Sequence, residues 1–598
     1  MGHDSEVAAF LNIHRDQLAA SNVPKHFWAM LYNKLTRKIF DAGNILQVVR
    51  LEYDEKREEH EPVWALQALS DIDRSDPKNI YLIDHAWTYR LEKAKETLKQ
   101  HEGLRQRLCS MFALDSGLET EQLVEEIFKC TWKVNNMYTI GNASQAEDRL
   151  PVWYIMDEIG SSILHSDSPN CRIVPFVYIE EQITYSLLFP IEDVEAGDFI
   201  FRDFAEGTTD PERRSAVLLP WVPKSFKHYS THPALPGEDY FLSGHVKESL
   251  PLLSNLTSNK LVVKPPLKVF TQYELVEEYL TDNKFVIVEN EEEADILWLT
   301  KHFKDFEELS NSPGKFVNQF PFEYVLTVKD LLCITCRRKD SSENWLPVTY
   351  NLLTEITNFL SCFQHRQDEG EDNYWIVKPC NLARGLDIHI TDDVNAIVKL
   401  STTLPKIAQK YITNPVLFYR PECNGKVKFD VRYVVLLKSV KPLEAYAYSN
   451  FFLRFANVPF ELNEFNNYEK HFTVMNYTDT AKLKHLKCEE FKRYWQQQYG
   501  DFPWEGVEKS VVEMLKQVLE SATLKEPPLG IGQSPQSRAL YAADLMLEWT
   551  SQGGIQPRIL EVNFMPDCKR ACDYYPDFFN DVFNLLFMDV SVDTFIQL

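Results

Sequence analysis

Residues 428–437 read KFDVRYVVLL, and this stretch carries the strongest signal for the fold. Side chains alternate between the two faces of a strand, so Lys428, Asp430 and Arg432 share one face and the side chains between them are apolar. Three ionisable groups on so apolar a strand are costly to bury unless they pair with one another or hold an ionic ligand. The stretch therefore predicts a strand with a structural ion-pair cluster or a ligand site on one face.

A second alternating pattern occupies residues 544–563 and predicts a β-hairpin with its turn at Gly553-Gly554. Glu561 and Asn563 share a face of the second strand, and Asp544 can lie nearby on the first. Oxygen ligands of this kind suit Mg²⁺, which binds few carboxylates together with substrate phosphates. The alternative is a hairpin whose edge simply carries solvated acids.

A third stretch, WIVKP at 375–379, reads as a strand that ends near Lys378 and is followed by the loop 381–388. A lysine at a strand end, followed by a loop with free N–H groups, suits phosphate binding. The sequence contains neither GxxxxGK[ST] nor GxGxxG, which excludes a Walker-type phosphate loop. A solvated surface lysine is the alternative.

Composition excludes several classes of protein. The 598 residues include 63 basic and 88 acidic side chains, a net charge of −25, so the chain is expected to bind neither nucleic acid nor a membrane surface. No apolar run approaches the ~18 residues of a membrane span. The N-terminus MGHDSEVAAF lacks the regions of a signal peptide, and the 11 cysteines are irregularly spaced, which predicts a cytoplasmic protein with reduced thiols.

In their order along the chain, these stretches resemble the tubulin–tyrosine ligase-like family, which has an ATP-grasp fold. The resemblance covers about residues 266–590. It also rests on NQFP at 318–321, LTVKD at 326–330, PVTY at 347–350, QKYI at 409–412 and LRFA at 453–456. It implies ATP and Mg²⁺ as cofactors and tubulin, as the αβ dimer or the microtubule, as the partner.

The resemblance also implies roles for individual residues. It implies a nucleotide site made of Lys378, Gln409, Lys410, Tyr411, Ile412, Lys428 and Asp430, with the two lysines on the phosphates and residues 409–412 around the adenine. It implies Mg²⁺ ligands at Asp544, Glu561 and Asn563. It implies a catalytic group of Arg432, Arg454, Thr473 and Asn476, with the arginines facing the acceptor or the intermediate. The family joins an amino acid to a tubulin tail through an acyl phosphate.

Two departures from the family pattern concern this chemistry. Asp387 stands where the phosphate loop usually has its second glycine, and it would repel phosphates unless it points away or is neutralised. The family's His-Leu-Thr-Asn reads His471-Phe-Thr-Val-Met-Asn476 here, so the Asn is displaced by two residues. We therefore expect a pseudo-ligase that binds ATP and tubulin and regulates tail tyrosination or glutamylation. An active tyrosine or glutamate ligase and a pure scaffold stay open as alternatives.

The first half of the chain resembles the SET methyltransferase core over about residues 40–245. It reads HSDSPNC at 165–171, which alone would be a polar turn, and then IEDVEAGDFIFRDF at 191–204. Leu164 replaces an Asn that would contact S-adenosylmethionine, and Phe204 replaces the Tyr whose hydroxyl orients the lysine amine. We expect a scaffold or recognition domain, with histones as a further partner class and a lysine methyltransferase as the alternative.

The sequence therefore predicts an α/β multidomain protein. Its expected parts are a helical segment over 1–40, a mostly β SET-like domain over 41–250 and an ATP-grasp ligase-like domain over 266–598. One branch of the family combines these domains. That branch implies a cytoplasmic, microtubule- or centrosome-associated protein, with the nucleus as a second compartment.

Overall fold

A computed structural model describes residues 2–51, 63–139, 147–233, 235–256, 264–339, 344–382, 385–473 and 486–598. The chain divides into two compact units. Unit 1 comprises Met1–Tyr229 and Asp393–Leu404, and unit 2 comprises Ser230–Asp392 and Pro405–Leu598. Across the described ranges, no helix is long and apolar enough to cross a membrane.

Unit 1 begins with helices and continues with short strands. Its helices before residue 230 are α1 (Gly2–Ala20), α2 (Trp28–Arg37), α3 (Leu91–Gln100), α4 (Glu102–Met111), α5 (Thr120–Val134), α6 (Glu158–Ser161) and α7 (Pro211–Val217). Its strands are β1 (Leu46–Leu51), β2 (Val63–Ala68), β3 (Tyr81–Ile83), β4 (His85–Tyr89), β5 (Asn136–Tyr138), β6 (Val152–Met156), β7 (Leu164–His165), β8 (Cys171–Tyr178), β9 (Ile183–Pro190) and β10 (Phe201–Arg202). The helices α1 and α2 confirm the predicted helical N-terminal segment.

The strands of unit 1 form small sheets rather than one large sheet. β3, β9 and β8 pair in that order, as do β4, β6 and β5, and all these pairings are antiparallel. β1 pairs with β2, and the short β7 and β10 pair in parallel. Phe10, Phe27 and Leu31 of the N-terminal helical region pack with Leu187 and Phe189 of β9 in one core. The helical segment is therefore part of the unit's hydrophobic core.

Unit 2 alternates helices and strands. Its first helices are α8 (Glu238–Leu242), α9 (Leu253–Leu256), α10 (Glu274–Tyr279), α11 (Phe306–Leu309), α12 (Tyr324–Thr327), α13 (Lys329–Lys339) and α14 (Ile356–Asp368). The helix α15 (Val394–Leu400) lies in the segment that belongs to unit 1. The later helices are α16 (Tyr468–His471), α17 (Cys488–Gln498), α18 (Trp504–Thr523), α19 (Lys569–Tyr574) and α20 (Phe578–Phe587).

The strands of unit 2 build three main sheets. The strands of this unit are β11 (Leu267–Thr271), β12 (Phe285–Ile287), β13 (Ile296–Trp298), β14 (Phe316–Val317), β15 (Thr349–Asn351), β16 (Trp375–Pro379), β17 (His389–Thr391), β18 (Lys406–Lys410), β19 (Phe418–Arg420), β20 (Gly425–Val427), β21 (Phe429–Ser439), β22 (Glu444–Tyr448), β23 (Phe452–Phe455), β24 (Ala539–Trp549), β25 (Ile555–Phe564) and β26 (Phe595–Gln597). The first sheet is parallel with order β12-β11-β13-β14, and the second is antiparallel with order β15-β18-β16-β17. The third has order β25-β24-β21-β22-β26, with β23 also paired to β21.

The stretch at 428–437 forms a strand, β21, as its sequence predicts, and this strand lies centrally in the third sheet. Phe429, Val431 and Tyr433 are fully buried in the core that also contains apolar residues of α18. Asp430 and Arg432 alternate with them and therefore lie on the opposite face. Burial of one face on the core fixes the register of the strand, because a slip of one residue would move the ionisable groups into the core.

The predicted hairpin is formed by β24 and β25. The N–H of Gly553, at φ +79°, donates to the Thr550 carbonyl at 3.0 Å and closes the turn. From the turn to Leu545↔Ile559 the pairing is regular, but the next pair is Asp544↔Glu561, so Leu560 is an extra residue. This β-bulge lies beside the predicted Mg²⁺ ligands.

Candidate functional site

Two lysines, one from the second sheet of unit 2 and one beside the third, lie close enough for their charges to act on each other. Lys378 on β16 and Lys428 beside β21 are both buried. The Lys378 Nζ donates to Gln409 Oε1 at 2.8 Å, and the Lys428 Nζ donates to the Tyr411 hydroxyl at 2.7 Å. Both acceptors are neutral. Within the described part of the chain, neither lysine forms an ion pair with a carboxylate.

Burial changes the protonation of both lysines. It lowers the pKa of Lys378 to about 8, although the charge of Glu561 opposes the shift. Burial and the charge of Lys378 lower the pKa of Lys428 to about 7. The charges of Asp430 on Lys428 and of Glu561 and Asp544 on Lys378 offset only part of these shifts. An anionic group between the lysines would raise both pKa values and stabilise the site.

A chain of hydrogen bonds orients Lys428. The Tyr411 hydroxyl lies 2.9 Å from His471 Nδ1, and His471 Nε2 lies 2.7 Å from the carbonyl oxygen of Asn463. A carbonyl only accepts, so Nε2 carries the proton and Nδ1 accepts from Tyr411. Burial lowers the pKa of His471 to about 4, which keeps the ring neutral. The Tyr411 oxygen is thereby left to accept from Lys428.

The remaining residues of the predicted adenine site continue from β18. Gln409 also donates from Nε2 to Thr349 Oγ1 at 3.1 Å, and Ile412 is buried. Lys410 forms an ion pair with Asp372 and donates to the Tyr374 carbonyl at 3.1 Å. The structure therefore brings Gln409 to Lys378 and Tyr411 to Lys428, whereas the Lys410 side chain is bonded to Asp372 and Tyr374.

Carboxylates and arginines form a buried network on the ionisable face of β21. Arg432 binds Asp544 through two bonds of 2.7 and 2.8 Å. Arg454 on β23 bridges Asp430 at 2.7 Å and Asp544 at 2.8 Å, and Thr473 donates to Asp430. Burial raises the pKa of Asp430, whereas the two arginines outweigh burial at Asp544 and hold its pKa well below the usual range. Of the predicted catalytic group, Asn476 lies outside the described residues.

The predicted Mg²⁺ ligands come together across the bulge. Asn563 Nδ2 lies 3.2 Å from both Asp544 Oδ2 and Glu561 Oε1. Glu561 Oε2 faces Lys329 Nζ at 3.2 Å. Two carboxylates on adjacent strands with one amide between them fit a hard divalent cation that also binds phosphate oxygens. A half-turn of the Asn563 amide would present its oxygen to such an ion.

Asp387 does not oppose phosphate binding in the way its charge alone suggests. Its carboxylate is buried, forms an ion pair with Lys406 and lies 2.9 Å from His389 Nε2. Burial would raise the pKa of Asp387, but His389 and Lys406 outweigh it and lower that pKa. Its φ of +54° lies in the left-handed region, which accounts for the glycine that the family pattern has here.

Sequence analysis did not assign roles to two members of this site. Lys329, the first residue of α13, bridges Glu561 and the Leu382 carbonyl at 2.9 Å. His471 fixes Tyr411 and, through it, Lys428. Lys329 stands in the family-like stretch LTVKD and His471 in the stretch that departs from the family pattern, but nothing in a local pattern connects Lys329 to Glu561 or His471 to Tyr411.

In unit 1 the two SET-like stretches meet. β7 pairs in parallel with β10, and the Asn170 side chain bonds both the Phe199 carbonyl and the Phe201 N–H at 2.8 Å. The Phe204 N–H donates to His165 Nδ1 at 3.2 Å. The polar turn therefore ties the strands of this unit together.

Comparison with known proteins gives two matches to domain families. Residues 307–596 match the Tubulin-tyrosine ligase family, and residues 60–225 match the Tubulin tyrosine ligase SET-like domain. These matches confirm the predicted fold class, a SET-like domain followed by a ligase-like domain.

Individual relatives agree with these matches. The human protein named Tubulin--tyrosine ligase-like protein 12 is 42% identical over 98% of this chain and 94% of its own length. The Caenorhabditis elegans protein of the same name is 35% identical over 97% of both chains. The mouse Probable tubulin polyglutamylase TTLL2 is 26% identical over 50% of this chain and 56% of its own length. This chain belongs to the tubulin–tyrosine ligase-like family.

Proposed function

We propose that unit 2 binds Mg·ATP and that the protein acts at tubulin as a pseudo-ligase, with weak or absent amino-acid transfer. The observation that carries the nucleotide part is the pair of buried lysines, Lys378 and Lys428, whose hydrogen-bond partners are neutral. Burying two neighbouring cations without a directly bonded carboxylate is unfavourable unless a ligand supplies more negative charge. Phosphate oxygens between them would supply it.

The residues around the lysines fit such a ligand. Glu561, Asn563 and Asp544 would hold Mg²⁺, which when bound neutralises charge on the phosphates. Lys329 holds Glu561 in place through its ion pair. Gln409 and residues 410–412 would border the adenine, as the family resemblance implies.

The arginine network supports weak ligation. Arg432 and Arg454 are the donors that the family resemblance places at the acceptor. In this structure both already bind the buried Asp544, and Arg454 also binds Asp430. An incoming acceptor carboxylate would compete with fixed, desolvated carboxylates for the same N–H groups, and a displaced buried carboxylate is costly. The two-residue displacement of Asn476 in the sequence is a second reason to expect weak ligation.

Tubulin is proposed as the partner because the names of the relatives describe enzymes, or proteins resembling enzymes, that act on tubulin. The human and worm relatives are named for tubulin–tyrosine ligase, and the mouse relative is named as a probable tubulin polyglutamylase. Regulation of tail tyrosination or glutamylation, and residence at microtubules in the cytoplasm, follow as parts of the same proposal.

Thermal unfolding of the full chain with and without Mg·ATP tests the nucleotide part. At about 100 times the dissociation constant, the ligand should add about 2.7 kcal/mol of stability. Lys378→Ala and Glu561→Gln should lose this gain. Lys441→Ala and Glu526→Gln, which change exposed groups of the same unit, should keep it. If Mg·ATP does not stabilise the unmodified protein, the nucleotide part of the proposal is wrong and the pure-scaffold alternative is favoured.

Incorporation of labelled tyrosine and labelled glutamate into αβ tubulin tests the pseudo-ligase part. We expect little or no transfer under conditions in which a competent ligase gives robust transfer, together with co-sedimentation of the protein with microtubules. Robust transfer would contradict the pseudo-ligase proposal and leave ATP binding intact. Absence of any association with dimers or microtubules would contradict tubulin as the partner.

A further inference from the structure

A second pair of cations converges in unit 1, away from the nucleotide residues. The Lys399 Nζ of α15 donates to the Asn135 carbonyl at 2.9 Å. An amino group of Arg202, at the end of β10, donates to Asn136 Oδ1 at 2.9 Å. Because Asn135 and Asn136 are consecutive, these bonds bring two side chains that are far apart in sequence to one place.

Both cations lie against one aromatic surface. The Arg202 guanidinium is 4.8 Å from the centre of the Phe204 ring, and the Lys399 Nζ is 4.9 Å from the centre of the Trp221 ring. The two ring centres are 4.5 Å apart. Trp221 is fixed by a 2.7 Å bond from its Nε1 to the carbonyl of Lys133. We call Arg202, Phe204, Trp221 and Lys399 the cationic cleft.

The charge of the cationic cleft is not compensated by the protein. Among the residues that the structure describes, neither Arg202 nor Lys399 forms an ion pair. Glu206, the acid whose charge acts on Arg202, is bound by Arg172 at 2.5 Å. The Arg202 Nε is buried without a hydrogen-bond partner.

The pKa values of Arg202 and Lys399 are both lowered, as expected for cations without a bound acid. Burial lowers the pKa of Arg202 to about 10. Burial and the charge of Arg202 lower the pKa of Lys399 to about 7. Two cations held together without an acid are unfavourable in the free protein, so their arrangement points to an anionic ligand.

We propose that the cationic cleft binds a side-chain carboxylate of an acidic peptide or protein segment. The terminal guanidinium N–H groups of Arg202 and the remaining Lys399 protons can each meet one of the two carboxylate oxygens. The resemblance to the SET core implies a lysine amine near Phe204, but two cations at this position repel an amine. The ligand charge is therefore opposite to that of a methyltransferase substrate. Both side chains are half-buried, so a peptide can reach them from solvent.

Calorimetric titration of the full chain with a tri-glutamate peptide, at constant ionic strength and without nucleotide, tests this proposal. Arg202→Gln and Lys399→Gln should each weaken binding about 10-fold or more, and Lys399→Arg should largely retain it. Lys93→Gln, a change of an exposed lysine in the same unit, should leave the affinity unchanged. No binding to the unmodified protein, or equal weakening by Lys93→Gln, would overturn the proposal.

A measurement without substitutions covers the case in which the variants fold poorly. We expect the Lys399 amine to react readily with an acetylating ester at pH 7.5, and saturating tri-glutamate to slow this reaction several-fold while Lys93 is unaffected. Peptide mass spectrometry gives both rates. Unchanged acetylation of Lys399 would overturn the proposal. Equal protection by inorganic phosphate at the same concentration would overturn its assignment to a carboxylate.

Discussion

The Nζ of Lys428 donates a 2.7 Å hydrogen bond to the hydroxyl of Tyr411, and both residues are buried. The direction of this bond is set by His471, whose Nδ1 accepts the hydrogen bond from the Tyr411 hydroxyl. The acceptor of a buried ammonium group is thus a neutral phenol rather than a carboxylate. This arrangement orients the cation and leaves its charge for a ligand, and the first two predictions below depend on it.

Removal of the Tyr411 hydroxyl should weaken nucleotide binding. In Tyr411→Phe the Lys428 ammonium loses its oriented acceptor, so we expect the dissociation constant for Mg·ATP to rise about 10-fold, a usual value for a bond to a charged group. Tyr419→Phe, which removes an exposed hydroxyl bonded to Asn424, is the matched control. Equal affinities of both variants, measured calorimetrically, would show that Tyr411 does not position Lys428.

Affinity for Mg·ATP should fall as pH rises. Lys428 and Lys378 have pKa values of about 7 and about 8 in the free protein. Phosphate oxygens bind the charged forms and raise both pKa values, so binding takes up protons. Affinity should therefore be highest below pH 7 and decrease above it, by up to about tenfold per pH unit for each lysine. Titrations between pH 6.5 and 9 at fixed Mg·ATP check this, and a pH-independent affinity would contradict it.

Asp387→Gly should destabilise the protein although it restores the family's glycine. The change removes the strain of a positive φ, worth about 1 kcal/mol. It also takes away a buried charge partner of Lys406, and breaking a buried pair costs about 3–5 kcal/mol. We expect the free energy of unfolding in urea to fall by about 2–4 kcal/mol, and Lys406→Met in the same background to recover part of the loss. A neutral or stabilising Asp387→Gly would contradict the role assigned to this pair.

Asp544→Asn should cost far more stability than a matched change on the same strand. Arg432 and Arg454 would lose a shared buried carboxylate, which predicts a loss of about 3–5 kcal/mol. Glu548→Gln removes a half-exposed pair with Arg558, and the expected loss is below about 1 kcal/mol. Because the pKa of Asp544 is depressed, its contribution is present above the unfolded pKa and is lost only as pH falls through the folded value. Urea unfolding at pH 7 should therefore separate the two variants clearly.

Local alternation in the sequence was sufficient to predict the strand β21 and the hairpin. The KFDVRY stretch places its apolar residues in the core and its ionisable residues opposite, and the Gly553-Gly554 pair marks the turn between β24 and β25. Both conclusions need only the two-residue period of a strand and the conformational freedom of glycine. The order of such stretches also indicated the family, which the comparisons confirm.

Long-range contacts decided what sequence patterns left open. Asp387, expected to repel phosphates unless it points away or is neutralised, forms a buried ion pair with Lys406. The segment Asp393–Leu404, predicted within the ligase-like domain, joins unit 1, where Lys399 meets Asn135. The ion-pair and ligand interpretations of β21 turned out to be compatible, because Asp430 and Arg432 are paired within the protein while Lys428 is not.

The arrangement of the metal-ligand candidates shows most directly what sequence determines and what it does not. The sequence by itself determined a hairpin that carries Asp544 on one strand and Glu561 and Asn563 on the other. A regular register continued from Leu545↔Ile559 would set Glu561 opposite Ala543, on the other face from Asp544. The extra residue at Leu560 moves Glu561 to the face of Asp544. Only the tertiary structure decided this, because a bulge depends on how both strands pack in the sheet and leaves no residue pattern of its own.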